Sequence, residues 1–254
     1  MAKDAAFDIQ LEIGTAQTEY ATIVCDTADG ITGAGNGAFT VTHADVVGSP
    51  LATDVALAVD DLPADIVTKA VAGLNAVGAL NAVMTFYAVG NLLYARCLEA
   101  AANDATFNIA YADNGCAGLT DDATSDAGVA GVAEVEVANV TNLSGPGLGV
   151  DTEDVTTHDQ ATAFEEVVAT IIRSGEVTLD IVYDPAGATH DAGTGLVYRL
   201  EDKIYSFFRI TFPDVGSTDW EFFGYVTGFE PSGPVDGALT ATVKIKITNQ
   251  PTLA

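Results

Sequence analysis

Three histidines, His43, His158 and His190, are the side chains in this sequence best suited to proton transfer or metal binding. Imidazole acts as a general base only with a partner in hydrogen-bond reach, and holds a metal only with further donors at matched spacing. His158 lies near Asp154 and Asp159, and His190 is followed by Asp191. Those pairings resemble ligand sets, but turn and capping polarity accounts for them more simply. Glu165-Glu166 is a paired carboxylate, yet adjacent residues of a helix do not share a face. A solvated helix start at the positive dipole end explains the pair. Gly33, Gly35 and Gly37 lack the Lys and the helix that complete a phosphate loop. Asp121, Asp122 and Asp126 lack EF-hand spacing and read as a solvated loop. Cys25, Cys97 and Cys116 form no CxxC pair and no disulfide framework, so three buried small apolar residues are expected. No GxSxG elbow occurs. Hence no catalytic, cofactor-binding or metal-binding residue is assigned, no cofactor is expected, and an enzyme is the disfavoured class.

Charge narrows the partners. Thirty-six acidic residues face nine basic ones in 254, a net charge of −27. Such a surface repels phosphate backbones and anionic membranes, so direct DNA binding through Lys and Arg contacts is not expected. It suits a soluble chain, or a conduit wall to which DNA does not stick. Adaptation to a saline medium gives the same composition, and the two readings are compatible. Met1-Ala2-Lys3-Asp4 is too polar for a signal peptide. No apolar run approaches the ~18 residues of a membrane span. The expectation is a chain made in a cytoplasm and not inserted in a membrane.

Residues 7–13 alternate apolar and polar, a half-buried strand. Further strand signals cover 20–25, 39–43, 54–59, 84–88, 92–98 and 106–111. Residues 30–37 read as a glycine-punctuated turn. Asp61, with Pro63 in the first turn, caps a helix whose apolar face is Ile66, Val67, Ala70, Val71 and Leu74. The small, polar stretch 119–131 reads as a linker or long loop. After it, 134–140 alternates cleanly and 144–147 is a turn. Thr157, His158 or Asp159 is expected to cap a helix over 161–173. Its apolar face would be Phe164, Val167, Val168, Ile171 and Ile172, with Gly175 as the stop. Strands follow at 176–183, 207–212, 220–229 and 238–248, and 196–204 leans to helix. Tyr198 to Phe229 concentrates the aromatic residues, including Trp220, so large-side-chain burial should centre there.

The long strands at 220–229 and 240–248 would aggregate unless their edges were used. Continuing a sheet from copy to copy uses them, and closing a ring removes them. On these strands the sequence becomes recognisable. The segments 140–159 and 171–183 resemble the major tail tube proteins of long, non-contractile-tailed bacteriophages. So do Phe208-Arg-Ile-Thr-Phe-Pro-Asp214, Trp220-Glu-Phe-Phe-Gly-Tyr-Val-Thr-Gly-Phe-Glu-Pro231 and the closing Thr-Val-Lys-Ile-Lys-Ile-Thr. The resemblance covers about 120 C-terminal residues and the first strand.

It implies a mainly β fold with α+β elements: a tail-tube β-sandwich or barrel with a flanking helix, plus an inserted β-rich domain with one helix. Residues 1–19 and 134–254 would form the core domain, and 20–133 the inserted, surface-projecting domain. The implied function is a structural virion protein of the tail, assembled in the host cytoplasm. Homo-hexameric rings would stack into a negatively charged tube around the tape-measure protein, between tail terminator and distal tail proteins. DNA would later pass without specific binding, and no membrane is involved. The loops 145–158 and 184–195 would clamp neighbouring rings. The alternatives are a related tube or ring, such as a type VI secretion tube or a head-tail connector, and a secreted halophile binding module.

Overall fold

The computed structural model describes residues 9–156, 164–214 and 216–253. In chain order its elements are β1 (Gln10–Thr15), β2 (Thr18–Thr22), β3 (Gly35–Thr42), β4 (Leu51–Leu57), α1 (Pro63–Asn75), α2 (Gly78–Asn81), β5 (Met84–Val89), β6 (Leu92–Cys97), β7 (Asn108–Asn114) and β8 (Asp126–Val129). They continue as β9 (Val132–Glu136), β10 (Val140–Ser144), β11 (Gly149–Asp154), β12 (Val167–Arg173), β13 (Glu176–Val182), α3 (Leu196–Glu201), β14 (Ser206–Thr211), β15 (Asp219–Ser232) and β16 (Thr240–Leu253). The fold is mainly β. Contacts divide the chain into two compact units, Met1–Ile13 with Val135–Ala254, and Gly14–Glu134.

The first unit is organised by a seven-stranded sheet in the order β10-β13-β16-β15-β14-β1-β9. Its strands alternate as a sheet with one buried face must. In β13 Val177, Leu179 and Ile181 are buried, and in β16 Ala241, Val243, Ile245 and Ile247 are. Register aligns them, Val177 with Ile245, Leu179 with Val243 and Ile181 with Ala241. Phe208, Ile210 and Phe222 complete this core, where the aromatic-rich segment was expected to contribute. Each such side chain contributes about 1.5–3 kcal/mol on full burial. The opposite face is mixed: Thr242 donates to Asp180 at 2.6 Å and Lys244 pairs with Glu230 at 2.9 Å, while on β14 and β15 Phe207 packs edge-on against Phe223, which stacks on Tyr205.

The helix of this unit is α3, packed against β15 with Leu196 fully buried. Gly195 precedes it because a Cβ there would sit 2.5 Å from the Asp191 nitrogen. The helix expected over 161–173 is a correction. From Val167 to Arg173 the chain is extended and pairs antiparallel with β11, forming a separate two-stranded ribbon. The helical spacing of Val167, Val168, Ile171 and Ile172 misleads because Val, Thr and Ile dominate the segment. β-branched side chains lose χ1 freedom in a helix and favour strands. The expected caps Thr157, His158 and Asp159 lie outside the described residues.

The second unit holds a four-stranded sheet, β5-β6-β2-β8, and a three-stranded one, β4-β3-β7. Helix α1 packs on β4, β5 and β6 and buries Ile66, Val67, Ala70 and Leu74, four of the five positions that its periodicity marks. Its N-cap is Leu62, not Asp61. Asp65 accepts from the Leu62 N–H at 3.2 Å, while Asp61 accepts from the Ala58 N–H at 2.6 Å and pairs with Lys69 at 2.5 Å. Two expected irregular stretches contain strand. Residues 126–129 of the presumed linker form β8 and pair with β2. Gly35 and Gly37 open β3, where a Cβ on Gly35 would meet the Gly115 oxygen at 2.0 Å. Among the cysteines Cys97 is buried, whereas Cys25 and Cys116 are half-buried.

Candidate functional site: exposed strand edges

Among the described residues, those with chemical potential are satisfied locally. His190 is fully buried; its Nδ1 accepts from the Asp184 N–H at 3.2 Å and its Nε2 lies 2.8 Å from the Ala138 oxygen. Asp191 accepts from the N–H groups of Gly193, Thr194 and Gly195 at 3.1, 2.8 and 2.9 Å, closing the turn before α3. These donors hold its carboxyl below the usual carboxylate range. Asp121 accepts from the Asp113 N–H at 2.7 Å and Asp122 from the Thr124 N–H at 3.0 Å. Glu165 and Glu166 are exposed and precede β12 in a non-helical segment. Among the described residues no group of three or more His, Cys, Asp or Glu is placed to hold a metal ion.

Folding does bring together one cluster that the sequence conceals. His43 Nε2 lies 3.5 Å from Cys97 Sγ and 3.9 Å from Asp104 Oδ2, beside a cavity of about 190 Å³ in the second unit. His43 Nδ1 accepts from the Asp45 N–H at 3.2 Å, which leaves the proton of the neutral ring on Nε2. Gln17 is clamped to the backbone of Asp104 through both ends of its amide, at 2.9 and 2.6 Å. The arrangement resembles a Cys-His dyad, but its electrostatics oppose nucleophilic chemistry. Burial, then the charges of Asp45 and Asp104, push the Cys97 thiol up to about 11. A nucleophilic cysteine needs the thiolate, and this environment disfavours it.

What the first unit exposes is strand. All seven residues of β12 are exposed, among them Val167, Val168, Ile171 and Ile172. Ile171 is 59% and Ile172 73% exposed. An isolated two-stranded ribbon is marginal in water, and apolar side chains this open add no stability to the subunit. The only charge on β12 is Arg173, paired with Asp151 across the ribbon at 2.5 Å. The two ends of the large sheet also differ. At one end β9 carries Glu134 and Glu136, charges of the kind that blunt an edge. At the other, β10 reads Val-Thr-Asn-Leu-Ser, with no charge and no proline. Exposed strand with so little charge, on a chain of net −27, is the kind of edge left open to pairing.

The model of the lambda phage tail tube protein family matches residues 121–254. The chain belongs to that family. It is a tail tube protein, a structural protein and not an enzyme, and its place is the phage tail. The matched stretch contains β10 to β16 and the ribbon. Among solved structures, a chain in the virion of a native gene transfer agent particle is 14% identical, with 48% of this chain and 88% of that one covered and a TM-score of 0.39. A chain in the tail of an empty gene transfer agent particle, refined with C6 symmetry, is 16% identical over 48% and 86%, with a TM-score of 0.38. One from the anti-feeding prophage baseplate, 6-fold symmetrised, is 10% identical over 50% and 85%, with a TM-score of 0.39. No curated protein sequence matches the chain.

Proposed function

We propose that this tail tube protein assembles as hexameric rings that stack into a hollow tube. The tube encloses the tape-measure protein, ends at terminator and distal tail proteins, and later conducts DNA that it does not bind. The observation that carries the reading is the β11–β12 ribbon. It leaves four large apolar side chains on β12 in water. Their burial by neighbouring copies turns a liability of the free subunit into the cohesion of the assembly. The net charge of −27 supports the conduit role, because fixed negative charge opposes adhesion of phosphates. At ~0.1 M salt that repulsion reaches about 10 Å, enough to act at the wall of a narrow bore.

In the same reading the second unit is an inserted domain that projects from the outer surface, since bulk in the bore would block DNA. Its insertion points support this: Gly14 lies against Val132 and Glu134, so the chain departs and returns at one place. Among the described residues no helix is long and apolar enough to cross a membrane.

Size-exclusion chromatography and negative-stain microscopy of the purified protein test the proposal. Hexamers that convert to uniform tubes at higher concentration are expected. A monomer that persists at millimolar concentration and low salt refutes it.

A further inference from the structure

Beyond the ribbon, the first unit leaves a second apolar feature uncovered, at the C-terminal end of β16. Strand β13 accompanies β16 only as far as the pair Glu176 with Lys246. Gly175, at φ 77°, then turns the chain out of the sheet and toward β12. Among the described residues, Ile247, Thr248, Thr252 and Leu253 therefore have β15 on one side and no strand on the other, while Asn249 to Pro251 bulge out of the register and the Asn249 carbonyl accepts from the Ser174 hydroxyl. Between that vacated edge and the root of the ribbon lies a groove of about 910 Å³. Leu148, Ile172, Trp220, Pro251 and Leu253 form its apolar walls. Leu253 is 60% exposed, and Trp220, the sole tryptophan, is half-buried beside it in register across β15 and β16.

We infer that this groove receives strand β12 of a second copy of the chain, an assignment that rests on the ring-and-stack reading above. Charge selects the occupant first. Two copies at −27 repel wherever acidic surfaces approach. No residue lining the groove is charged, and β12 contains no acidic residue. Both surfaces are therefore places where two such copies touch without like-charge cost. The backbone selects second. An open strand edge binds an extended segment through main-chain hydrogen bonds, and flanking pockets read its side chains. The end of β16 is a short, bulged edge of this kind, where Pro251 offers no N–H, and β12 is extended already.

Availability of side chains selects third. The other uncharged edge strand, β10, has committed Val140 and Leu143 to its own core. Strand β12 has not: Ile172 stays at the root of its own groove, while Val167, Val168 and Ile171 are free to enter a neighbour's. The entering residues, Val167, Val168 and Ile171, are distinct from those that line the groove, so the contact can run head-to-tail. It repeats from copy to copy without self-capping.

The test reads Trp220 and Leu253 in the full-length protein. On assembly, Trp220 emission moves to shorter wavelength and acrylamide quenching falls severalfold, as the groove fills. Leu253→Asp keeps the melting temperature of the free subunit, since the side chain is exposed, and abolishes assembly. A photo-crosslinking residue, Leu253→p-benzoylphenylalanine, in unlabelled protein mixed with isotopically heavy protein links to residues 164–173 of the heavy copy. Tubes that form with Trp220 as accessible as before, that tolerate Leu253→Asp, or that crosslink elsewhere overturn the groove assignment and leave the tube reading standing. Failure of the unaltered protein to assemble under any condition overturns both.

Discussion

Replacing Ile171 by Thr isolates what the ribbon does. The change keeps β-branching, so strand preference is preserved. It shortens the apolar side chain and adds a hydroxyl. Ile171 is 59% exposed in the free subunit. Full burial of an Ile side chain contributes about 1.5–3 kcal/mol, so covering the part still open contributes about 1–2 kcal/mol per contact. A hydroxyl buried without a partner costs about 1 kcal/mol or more besides. The variant therefore loses about 1.5–3 kcal/mol per subunit added. That raises the critical concentration for assembly about tenfold to a hundredfold. In the free subunit the same change lies within about ±0.5 kcal/mol, the range of ordinary surface substitutions. At this chain length the melting temperature then moves by about 2 °C at most. Sedimentation across a concentration series gives the critical concentration, and a thermal melt of dilute protein gives the second number. An unchanged critical concentration refutes the role of the ribbon in assembly. A large fall in melting temperature refutes the claim that β12 is unsupported by its own subunit.

Other perturbations probe the two cores and the buried polar groups. Ile245→Ala empties a fully buried position in β16 and should cost about 2–5 kcal/mol in urea unfolding of the free subunit; a cost under 1 kcal/mol would place β16 outside the core. Cys97, with its thiol pushed up to about 11, should resist iodoacetamide at pH 8 in the folded protein and react on unfolding. Rapid labelling at pH 8 would contradict the buried dyad geometry. Burial, joined by the charge of Asp126, raises the Glu19 carboxyl against the lowering bonds from Gln17 and Ser125. A raised carboxyl favours the fold fully below its unfolded value of about 4.3, and that contribution disappears as pH climbs through the folded value. Glu19→Gln should thus melt higher than the parent at pH 7 and level with it near pH 4; the opposite ordering at pH 7 rules out the burial argument.

How much of this was legible depended on whether local pattern and tertiary context agreed. Strands β13 and β16 announced themselves because one face is buried and the other wet, giving clean alternation over 176–182 and 240–247. Helix α1 did so through Pro63 and four buried positions on one face. Strand β12 did not, because it has no buried face in the subunit. With every side chain exposed, periodicity carried no information about burial, and only the β-branched composition pointed the right way. Strand β8, Asp-Ala-Gly-Val, is equally silent: four exposed residues held by pairing with β2 leave no hydrophobic pattern. The His43, Cys97 and Asp104 cluster was illegible for another reason. Cys97 lies 54 residues from His43, and only the packing of separate strands brings them together. The candidate interface was anticipated as unused edges, but the ribbon and the vacated end of β16 needed the fold.

The closeness of Gly14 to Val132 and Glu134 has a practical reach. Since β1 and β9 are neighbours in one sheet, the span between them is a cassette with paired ends. A short turn joining Ile13 to Val135 should give a minimal subunit, and any foreign domain whose termini meet could take the cassette's place. In the proposed tube, such grafts would set cargo at regular intervals along the assembly.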